Sequence, residues 1–598
     1  MSRLLSRLDR SVPQRFRGFR PRVGFVVTLL ALGGLALAGR AVDLQVVQHD
    51  RLAALAQRQS QRTIRLDGRR GPIYDRMGDP LAMSVKADSI YAHPASIADP
   101  AVAAFRLARL LGLDADWVEQ RLRSNQAFVW IKRHVTPSES AAVQALHLDG
   151  IAETQEYTRV YPERTFAAPL LGFTGVDTQG LEGLEYAYDS YLKGAEGYKV
   201  VNRDALGRTV LTGNDDFPTG GGSIRLTIQP AVQYIVEQEL SRAVQVHDAA
   251  VGIAIVMRTN TGEILAMAHA PDFNPNDYLD YDKETYFNRA VTSGYEPGST
   301  FKVFTISAAL EEGVVKPDSL FFCENGEWQH YDSVIHDTEP HGWLGLGGVI
   351  RVSSNICAAK IGLLLPAAVF HSYLQKFGFG HRVGLFTAAD GRRLAGEAEG
   401  YLPPVDRWTP VDHAAISFGH GILVSPLQLI TGVNAIANGG KLVQPRLVLE
   451  VRDPAGHIVE QNRYPVARRV ISARTAGIVR DLMKGVVSPE GTGKRAAVPG
   501  YVVAGKTGTT EIYDLKARGY SQTKHIASFV GFVPADHPAL TILVVVERPK
   551  KGRFGGVVAA PVFSNIARRA LPLLGVWPSE GVRHARMDVA QQAPDALP

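Results

Sequence analysis

From Val23 to Gly39 the chain is unbroken by charge, reading VGFVVTLLALGGLALAG. No other stretch of the sequence is as long and apolar, and this one decides the topology of everything around it. An apolar run approaching twenty residues spans a bilayer as a helix, because only a helix satisfies its own backbone in lipid. Arg40 and Asp43 interrupt the run and Leu44 to Val47 resume it, so the span is placed at 23–47. Ahead of it stand Arg3, Arg7, Arg10, Arg15, Arg17, Arg20 and Arg22 against a single acid, Asp9. By the positive-inside rule that tail, 1–22, stays in the cytoplasm and the rest is exported. A cleaved signal peptide is the competing reading, with Ala36-Leu37-Ala38 as its small-residue site. The length of the run favours an uncleaved single-pass anchor.

The remaining chain is long enough for two or three domains: 598 residues in all, 45% hydrophobic and 21% charged, the balance of a globular protein. The net charge of +6 is concentrated in the N-terminal arginines, so it gives no case for nucleic-acid binding. The seventeen histidines show no metal-binding spacing, and no metal or cofactor is predicted. Cys323 and Cys357 are the only cysteines; two free buried thiols are expected, with one disulfide as the alternative.

Residues 51–62 read as a helix leaving the membrane, with Leu52, Leu55 and Ala56 at helical spacing. Thr63 to about Gly222 mixes short strand-like runs, turns and one amphipathic stretch, Val102 to Leu111, and is predicted to be an extended α+β module. Thr219-Gly-Gly-Gly-Ser223 is expected to be a flexible joint. The domains are therefore placed at 48–222 and 223–575, with a disordered tail at 576–598. The larger domain is predicted to be α/β: a helix from Pro230, a hairpin around Asn260-Thr261-Gly262, a helix from Ser299 to Glu312, three late strands, and a last helix at 562–571.

Three motifs carry chemistry: Ser299-Thr-Phe-Lys302, Ser353-Ser-Asn355 and Lys506-Thr507-Gly508. Serine and lysine suffice for acyl transfer when burial lowers the lysine pKa until it acts as a base. At i and i+3 on a helix the two share a face, and Ser299 sits where backbone N–H groups favour negative charge. Each motif alone is weak. Ser-x-x-Lys recurs at Ser190 to Lys193 in the other module and at Ser521 to Lys524 in an expected polar loop. Helix capping would account for Ser353 and Asn355, and a turn for Lys506 to Gly508; the ordered triple argues against both. Gly491-Thr-Gly-Lys494 lacks the flanking residues of a phosphate-binding loop.

With these motifs the chain resembles the serine penicillin-recognising enzymes, and among them the class B penicillin-binding proteins. The likeness extends to Asn288–Lys302, Ser417–Leu427 and Val503–Thr509, and to the N-terminal segments Arg70–Gly78, Arg159–Pro162 and Gly180–Glu185. Arg159-Val-Tyr-Pro162 and Tyr295-Glu-Pro-Gly-Ser-Thr300 look most like the division-specific branch, FtsI. The resemblance implies a transpeptidase fold on a non-catalytic pedestal, and cross-linking of peptidoglycan stem pentapeptides during septal wall synthesis. It implies Ser299 as nucleophile, Lys302 as its base, Ser353 and Lys506 as a proton relay, and Asn355 as a hold on the substrate amide. It implies Thr507, Gly508 and Thr509 as the substrate-binding strand, with the N–H groups of Ser299 and Thr509 as oxyanion hole. β-Lactams would acylate the same serine, and partners would be a SEDS-family glycosyltransferase and divisome membrane proteins at the bacterial inner membrane. Two departures from class A β-lactamases stand out: Ser354 where they have Asp, and no counterpart of their deacylating glutamate. An elongation-specific transpeptidase and a non-enzymatic sensor or scaffold are the alternatives; the intact motifs oppose a scaffold, and about 22 residues before the anchor leave little for a sensor's cytoplasmic module.

Overall fold

A computed structural model describes residues 20–66, 68–195, 197–203, 209–211, 219–386, 396–461, 466–514 and 519–578. The arginines before residue 20 and the tail from 579 lie outside them. The chain divides into a small unit, 1–67 with 196–218, and a large one, 68–195 with 219–598.

In the small unit a helix runs from Arg20 to Val42 and a π-helical turn continues it from Asp43 to Val47. Its apolar side chains are exposed all round, Leu35 at 69% and Leu37 at 74%. An apolar surface on every face calls for lipid rather than water. Arg40 Nη1 donates to Asp43 Oδ2 at 2.5 Å, so the two charges that interrupt the span neutralise each other on one face. A second helix, His49–Ser60, gives way to the strand Gln61–Leu66, so Arg62 leaves the helical stretch the sequence suggests. That strand pairs antiparallel with Gly197–Arg203, which pairs in turn with Thr209–Leu211.

The large unit opens with strands β1 (Ile73–Tyr74), β2 (Pro80–Ala92), β3 (Val129–Val135), β4 (Ile151–Val160) and β5 (Ser223–Leu226). Helix α1 (Pro230–His247) leads into the hairpin β6 (Val251–Arg258) and β7 (Ile264–Ala270). Helices α2 (Lys302–Glu311) and α3 (Asn355–Leu363) follow, then β8 (Val448–Arg452), β9 (Ile458–Gln461), β10 (Ala504–Asp514), β11 (Gly519–Val533), β12 (Leu540–Glu547) and helix α4 (Ala560–Leu573).

These strands form two main sheets. One, in the order β9-β8-β5-β1-β2-β3 with β4 on β2, draws strands from both sides of the glycine run. The other is antiparallel in the order β7-β6-β12-β11-β10. Its strand β6 alternates between two cores, as a period of two requires. Ile253, Ile255 and Met257 pack into one with Phe301, Phe304 and Val433; Ala254 and Val256 pack into the other with Val236, Leu240, Phe563 and Ile566. Each fully buried Ile, Val, Leu, Met or Phe side chain contributes about 1.5–3 kcal/mol; α1 and α4 cover one face, and the helix Pro426–Ala437 packs against the other. The last helix begins two residues before the predicted start, and Tyr501 Oη holds Val576 O at 2.8 Å beyond its end.

The glycine run is not a joint. Gly221 N donates to Arg69 O at 2.7 Å and Gly222 N to Tyr191 O at 2.8 Å. A Cβ on Gly221 would lie 1.8 Å from Leu192 O, and one on Gly71 1.6 Å from Gly222 O. Glycine is used here for backbone contact too close for any side chain. Nearby, Gly68, Gly194 and Thr219 converge. A Cβ on Gly68 would stand 2.6 Å from Ala195 O and 2.7 Å from Thr219 O, and one on Gly194 2.7 Å from the same Thr219 O.

The cysteines also differ from expectation. Cys323 and Cys357 form a disulfide across 34 residues with Cα atoms 5.2 Å apart. Their separation in sequence hides a juxtaposition made by the packing of α3 against the strand Leu320–Phe322, with Cys323 just past its end.

Candidate active site

Ser299 does not open the α-helix itself. Gly298–Phe301 is a 3-10 turn that runs directly into α2, and it keeps Lys302 on the Ser299 side. Two glycines let this turn be approached. Gly298 has φ +53°, and Gly419, at φ +88°, packs so tightly that a Cβ there would lie 2.2 Å from Gly298 O. Gly298 N donates to Gly419 O at 3.1 Å. Segment 417–427 thus buttresses the serine turn.

Lys302 is fully buried and its Nζ is the centre of the cluster. It lies 3.0 Å from Ser299 Oγ, 2.5 Å from Ser353 O, 2.6 Å from Asn355 Oδ1 and 3.3 Å from Ser353 Oγ. Burial pulls its pKa down to about 7, against the upward pull of Asp337. Lys506, also fully buried, places Nζ 2.8 Å from Ser353 Oγ and 3.1 Å from Thr507 O. Burial first, and the Lys302 charge second, push its pKa well below that of an ordinary lysine. Two amines flanking one hydroxyl cannot both carry a proton cheaply.

Ser353 closes the helix Leu346–Val352 in the left-handed region, φ +68° and ψ +40°. A non-glycine residue there is uncommon, and here the conformation turns both its carbonyl and its hydroxyl toward the lysines. Ser354, not Ser353, is the N-cap of α3, accepting from Cys357 N. Asn355 is locked from both ends: Oδ1 at Lys302, Nδ2 donating to His336 O at 2.8 Å.

On the β10 side, Gly508 lies against the serine turn; a Cβ on it would meet Thr300 Cγ2 at 2.9 Å and Ser528 Oγ at 2.4 Å. Thr509 Oγ1 accepts from Gly555 N at 3.1 Å, and Thr507 Oγ1 is 2.8 Å from Thr492 Oγ1. Of the eight predicted residues, Ser299, Lys302, Ser353, Asn355 and Lys506 therefore meet in one hydrogen-bonded cluster, and Thr507, Gly508 and Thr509 follow Lys506 along β10 beside the serine turn. The other two Ser-x-x-Lys matches lie outside that cluster. Ser190 and Lys193 are exposed around the short helix Asp189–Leu192, and Ser521 to Lys524 form part of β11 rather than a loop.

Sequence reasoning missed two residues. Asp337 caps α3, its Oδ1 accepting from Asn355 N at 2.5 Å and Ile356 N at 3.0 Å, its Oδ2 from Ser354 Oγ at 2.5 Å. Nothing local marks Asp337, since its partners lie about twenty residues on. Thr492 belongs to the Gly491–Lys494 segment set aside as a false phosphate loop; its place beside Thr507, the middle residue of Lys506-Thr507-Gly508, was not visible.

Residues 252–568 match the family model of the penicillin-binding protein transpeptidase domain, and 65–226 that of the penicillin-binding protein dimerisation domain. The chain belongs to the class B penicillin-binding proteins, the peptidoglycan D,D-transpeptidases. It is 36% identical over 570 residues to the stage V sporulation protein D of Bacillus subtilis, covering 94% of this chain and 86% of that protein. It is 33% identical over 558 residues to the peptidoglycan D,D-transpeptidase FtsI of Escherichia coli K12, covering 92% and 91%. Among solved structures, penicillin-binding protein 3 of Mycobacterium tuberculosis, complexed with aztreonam, superposes with a TM-score of 0.67 at 27% identity over 86% of this chain and 98% of that one. This penicillin-binding protein is thus a serine enzyme of the transpeptidase family, on a mixed α/β fold with an N-terminal pedestal and one apolar helix fit for membrane anchoring.

Proposed function

We propose that this enzyme cross-links septal peptidoglycan through an acyl-enzyme on Ser299. The observation that carries the reading is the hydrogen-bond inventory of Lys302. A neutral amine has two N–H donors and one lone pair. Ser353 O at 2.5 Å and Asn355 Oδ1 at 2.6 Å take the donors, leaving the lone pair for the Ser299 hydroxyl at 3.0 Å. A pKa of about 7 leaves much of the population in that neutral state.

Ser299 Oγ then attacks the carbonyl of the penultimate D-Ala of a stem pentapeptide as its proton passes to Lys302. The tetrahedral oxyanion sits between the backbone N–H groups of Ser299 and Thr509. Its collapse breaks the C–N bond. The proton reaches the leaving D-Ala nitrogen from Lys302 by way of Ser353 Oγ, which Lys506 orients. Asn355 holds the substrate amide, while Thr507, Gly508 and Thr509 present the strand edge and hydroxyls to the donor's terminal carboxylate. A β-lactam enters the same path, but its ring-opened fragment stays attached and blocks the acceptor. In this reading 48–222 is the pedestal and 223–575 the catalytic domain.

The septal assignment rests on the likeness to FtsI and on Arg159–Pro162 and Tyr295–Thr300. Its corollaries are a SEDS-family glycosyltransferase and divisome membrane proteins as partners. The N-terminal arginines support a cytoplasmic start and an exported catalytic domain, and a disulfide beside the site suits an oxidising compartment. The test is fluorescent-penicillin labelling of the membrane-bound protein with its localisation in dividing cells. Ser299→Ala should lose all label while Ser190→Ala and Ser521→Ala keep it, and signal should gather at the septum. Label surviving Ser299→Ala overturns the nucleophile, and uniform lateral signal overturns the septal role.

A further inference from the structure

The polar face of the sheet β9-β8-β5-β1 lies outside the acylation chemistry. Gln461, Glu450, Arg225 and Tyr74 are register partners in turn across its four strands, so they share one face. Ile224 and Val451, on the other face, are fully buried. Against the polar face lie two adjoining recesses of about 360 and 240 Å³, and Arg225 and Glu450 line both. The larger also reaches Arg76, Glu263 and Arg446, the smaller Arg452. Five guanidiniums share two carboxylates here. Glu263 Oε1 accepts from Arg446 Nη2 at 2.6 Å and its Oε2 from Arg76 Nη2 at 2.9 Å. Arg258 Nε, 3.4 Å from that Oε2, is buried without a hydrogen bond. Glu450 Oε1 accepts from Arg452 Nε at 3.0 Å, while Arg225 Nη1 stands 4.0 Å away. Arg225 is held by a neutral group instead: its Nε and Nη2 donate to Arg76 O at 3.1 and 2.6 Å. The acids next in sequence are engaged elsewhere, Asp75 by the N–H groups of Met77, Gly78 and Asp79, and Asp453 by His457. Among the described residues the recesses therefore set five positive charges against two negative ones.

That combination recognises an oxyanion. The arginine side chains are between 12% and 42% exposed, so water screens their mutual repulsion only in part, and an anion from solution relieves it. Guanidinium forks match the paired oxygens of phosphates and carboxylates. A carboxylate brings one negative charge, whereas a phosphate group brings about 1.5–2 at neutral pH. Two linked phosphates meet the excess of positive charge where two carboxylates fall short of it. The larger recess also has the size of a small-molecule site, about 300–1,000 Å³, and is far too roomy for one ion. We propose that the recesses flanking Arg225 bind a diphosphate-bearing molecule, with one phosphate on each side of that guanidinium. Arg76 comes from before the glycine run and Glu263, Arg446 and Glu450 from after it, so the ligand ties the two stretches together and stabilises the fold. Glu263 directly precedes β7, the edge strand at the opposite end of its sheet from β10 and Lys506. The site is thus distinct from the one that holds Ser299, and it stands whether or not the septal reading does.

The test uses the full-length enzyme in detergent, with titration calorimetry and thermal melts. Inorganic pyrophosphate should bind one to one, raise Tm, and bind at least tenfold more tightly than inorganic phosphate or succinate. Its affinity should fall as salt rises, because the contacts are between partly exposed charges. Farnesyl diphosphate separates two sources of the same group. Tighter binding than pyrophosphate points to a lipid-linked ligand, and equal or weaker binding to a free one; either supports a diphosphate site. Arg225→Gln removes the central charge and should weaken pyrophosphate at least tenfold. Gln461→Glu guards against a mere folding defect, since Gln461 is exposed and the change only adds a carboxylate at the larger recess. It should weaken pyrophosphate at least tenfold while melting, without ligand, no lower than wild type. No saturable pyrophosphate binding, equal affinity for phosphate and pyrophosphate, indifference to salt, or an affinity unmoved by both substitutions would overturn the proposal.

Discussion

At the residue scale the most informative side chain is Lys302. Its two short acceptors fix where the protons are, so the pH dependence of acylation follows with a definite sign. Below pH 7 the amine is protonated and has no lone pair for Ser299; above it the base is free. The second-order rate of β-lactam acylation should rise about tenfold per pH unit below 7 and level off above, a profile measurable by stopped-flow with a chromogenic cephalosporin. Lys302→Ala should lower that plateau by about 10²–10⁴. A flat profile from pH 5 to 9 would mean that Lys302 is not the base. Ser299 and Lys302 were legible in the sequence because i and i+3 on a helical turn share a face and two further motifs follow them in order; the spacing alone also picks out Ser190 and Ser521. The left-handed backbone of Ser353 was not, since serine has no preference for that conformation and only the surrounding fold imposes it.

Elements show the same division. The hairpin of β6 and β7, helix α1 and the positions of β10 to β12 were readable from apolar runs punctuated by turn residues. The extensions of β10 and β11 beyond Thr509 were not. Ser521 to Lys524 carry no apolar alternation, and they fall at a register shift, between the pairs Glu511–His525 and Tyr513–Tyr520, where β11 departs from regular pairing. Likewise, a glycine that allows motion and one that allows contact are identical in sequence, which is why the 219–223 run read as a joint. Helix α3 depends on a residue no pattern revealed. Asp337→Ala removes its charged cap and leaves the N–H groups of Asn355 and Ile356 without that acceptor. A loss of about 1–2 kcal/mol in chemical unfolding is expected, together with slower acylation as Asn355 loosens from Lys302. Unchanged acylation would show that Asn355 is positioned by Lys302 and His336 alone.

For the whole molecule, three of the pedestal's charged residues, Arg70, Arg159 and Glu185, are buried against one another and hold the fold. Arg70 is 1% exposed. It donates to Glu185 Oε2 and Asp189 Oδ1, each at 2.6 Å, and Arg159 Nε donates to Glu185 Oε1 at 2.6 Å. Burial pushes the Glu185 carboxyl up, but Arg159 and Arg70 outweigh it and hold its pKa below the usual carboxylate range. Because the folded pKa is depressed, this stabilisation is present at neutral pH and is lost as pH falls through the folded value. Arg70→Ala should cost about 3–5 kcal/mol in thermal or denaturant unfolding, since it strands buried acid. It is therefore a poor probe of partner binding, for which exposed pedestal positions are needed. A variant as stable as wild type would contradict this account.

The convergence of Gly68, Gly194 and Thr219 bears on how the protein can be cut down. The chain passes between its two units three times, at 67/68, 195/196 and 218/219. Trimming the N-terminus to Gly68 alone would strip the strand Gly197–Arg203 of one of its two partners, Gln61–Leu66, and leave an unpaired edge, an invitation to aggregation. Yet Ala195 and Thr219, which flank 196–218, both lie against Gly68, so a linker of a few residues between them could replace it with almost no closure entropy. A chain starting at Gly68 and so bridged should be monodisperse in water and take up fluorescent penicillin at the full-length rate. The stretch 1–67 with 196–218 is, in effect, a cassette that one truncation and one short bridge remove.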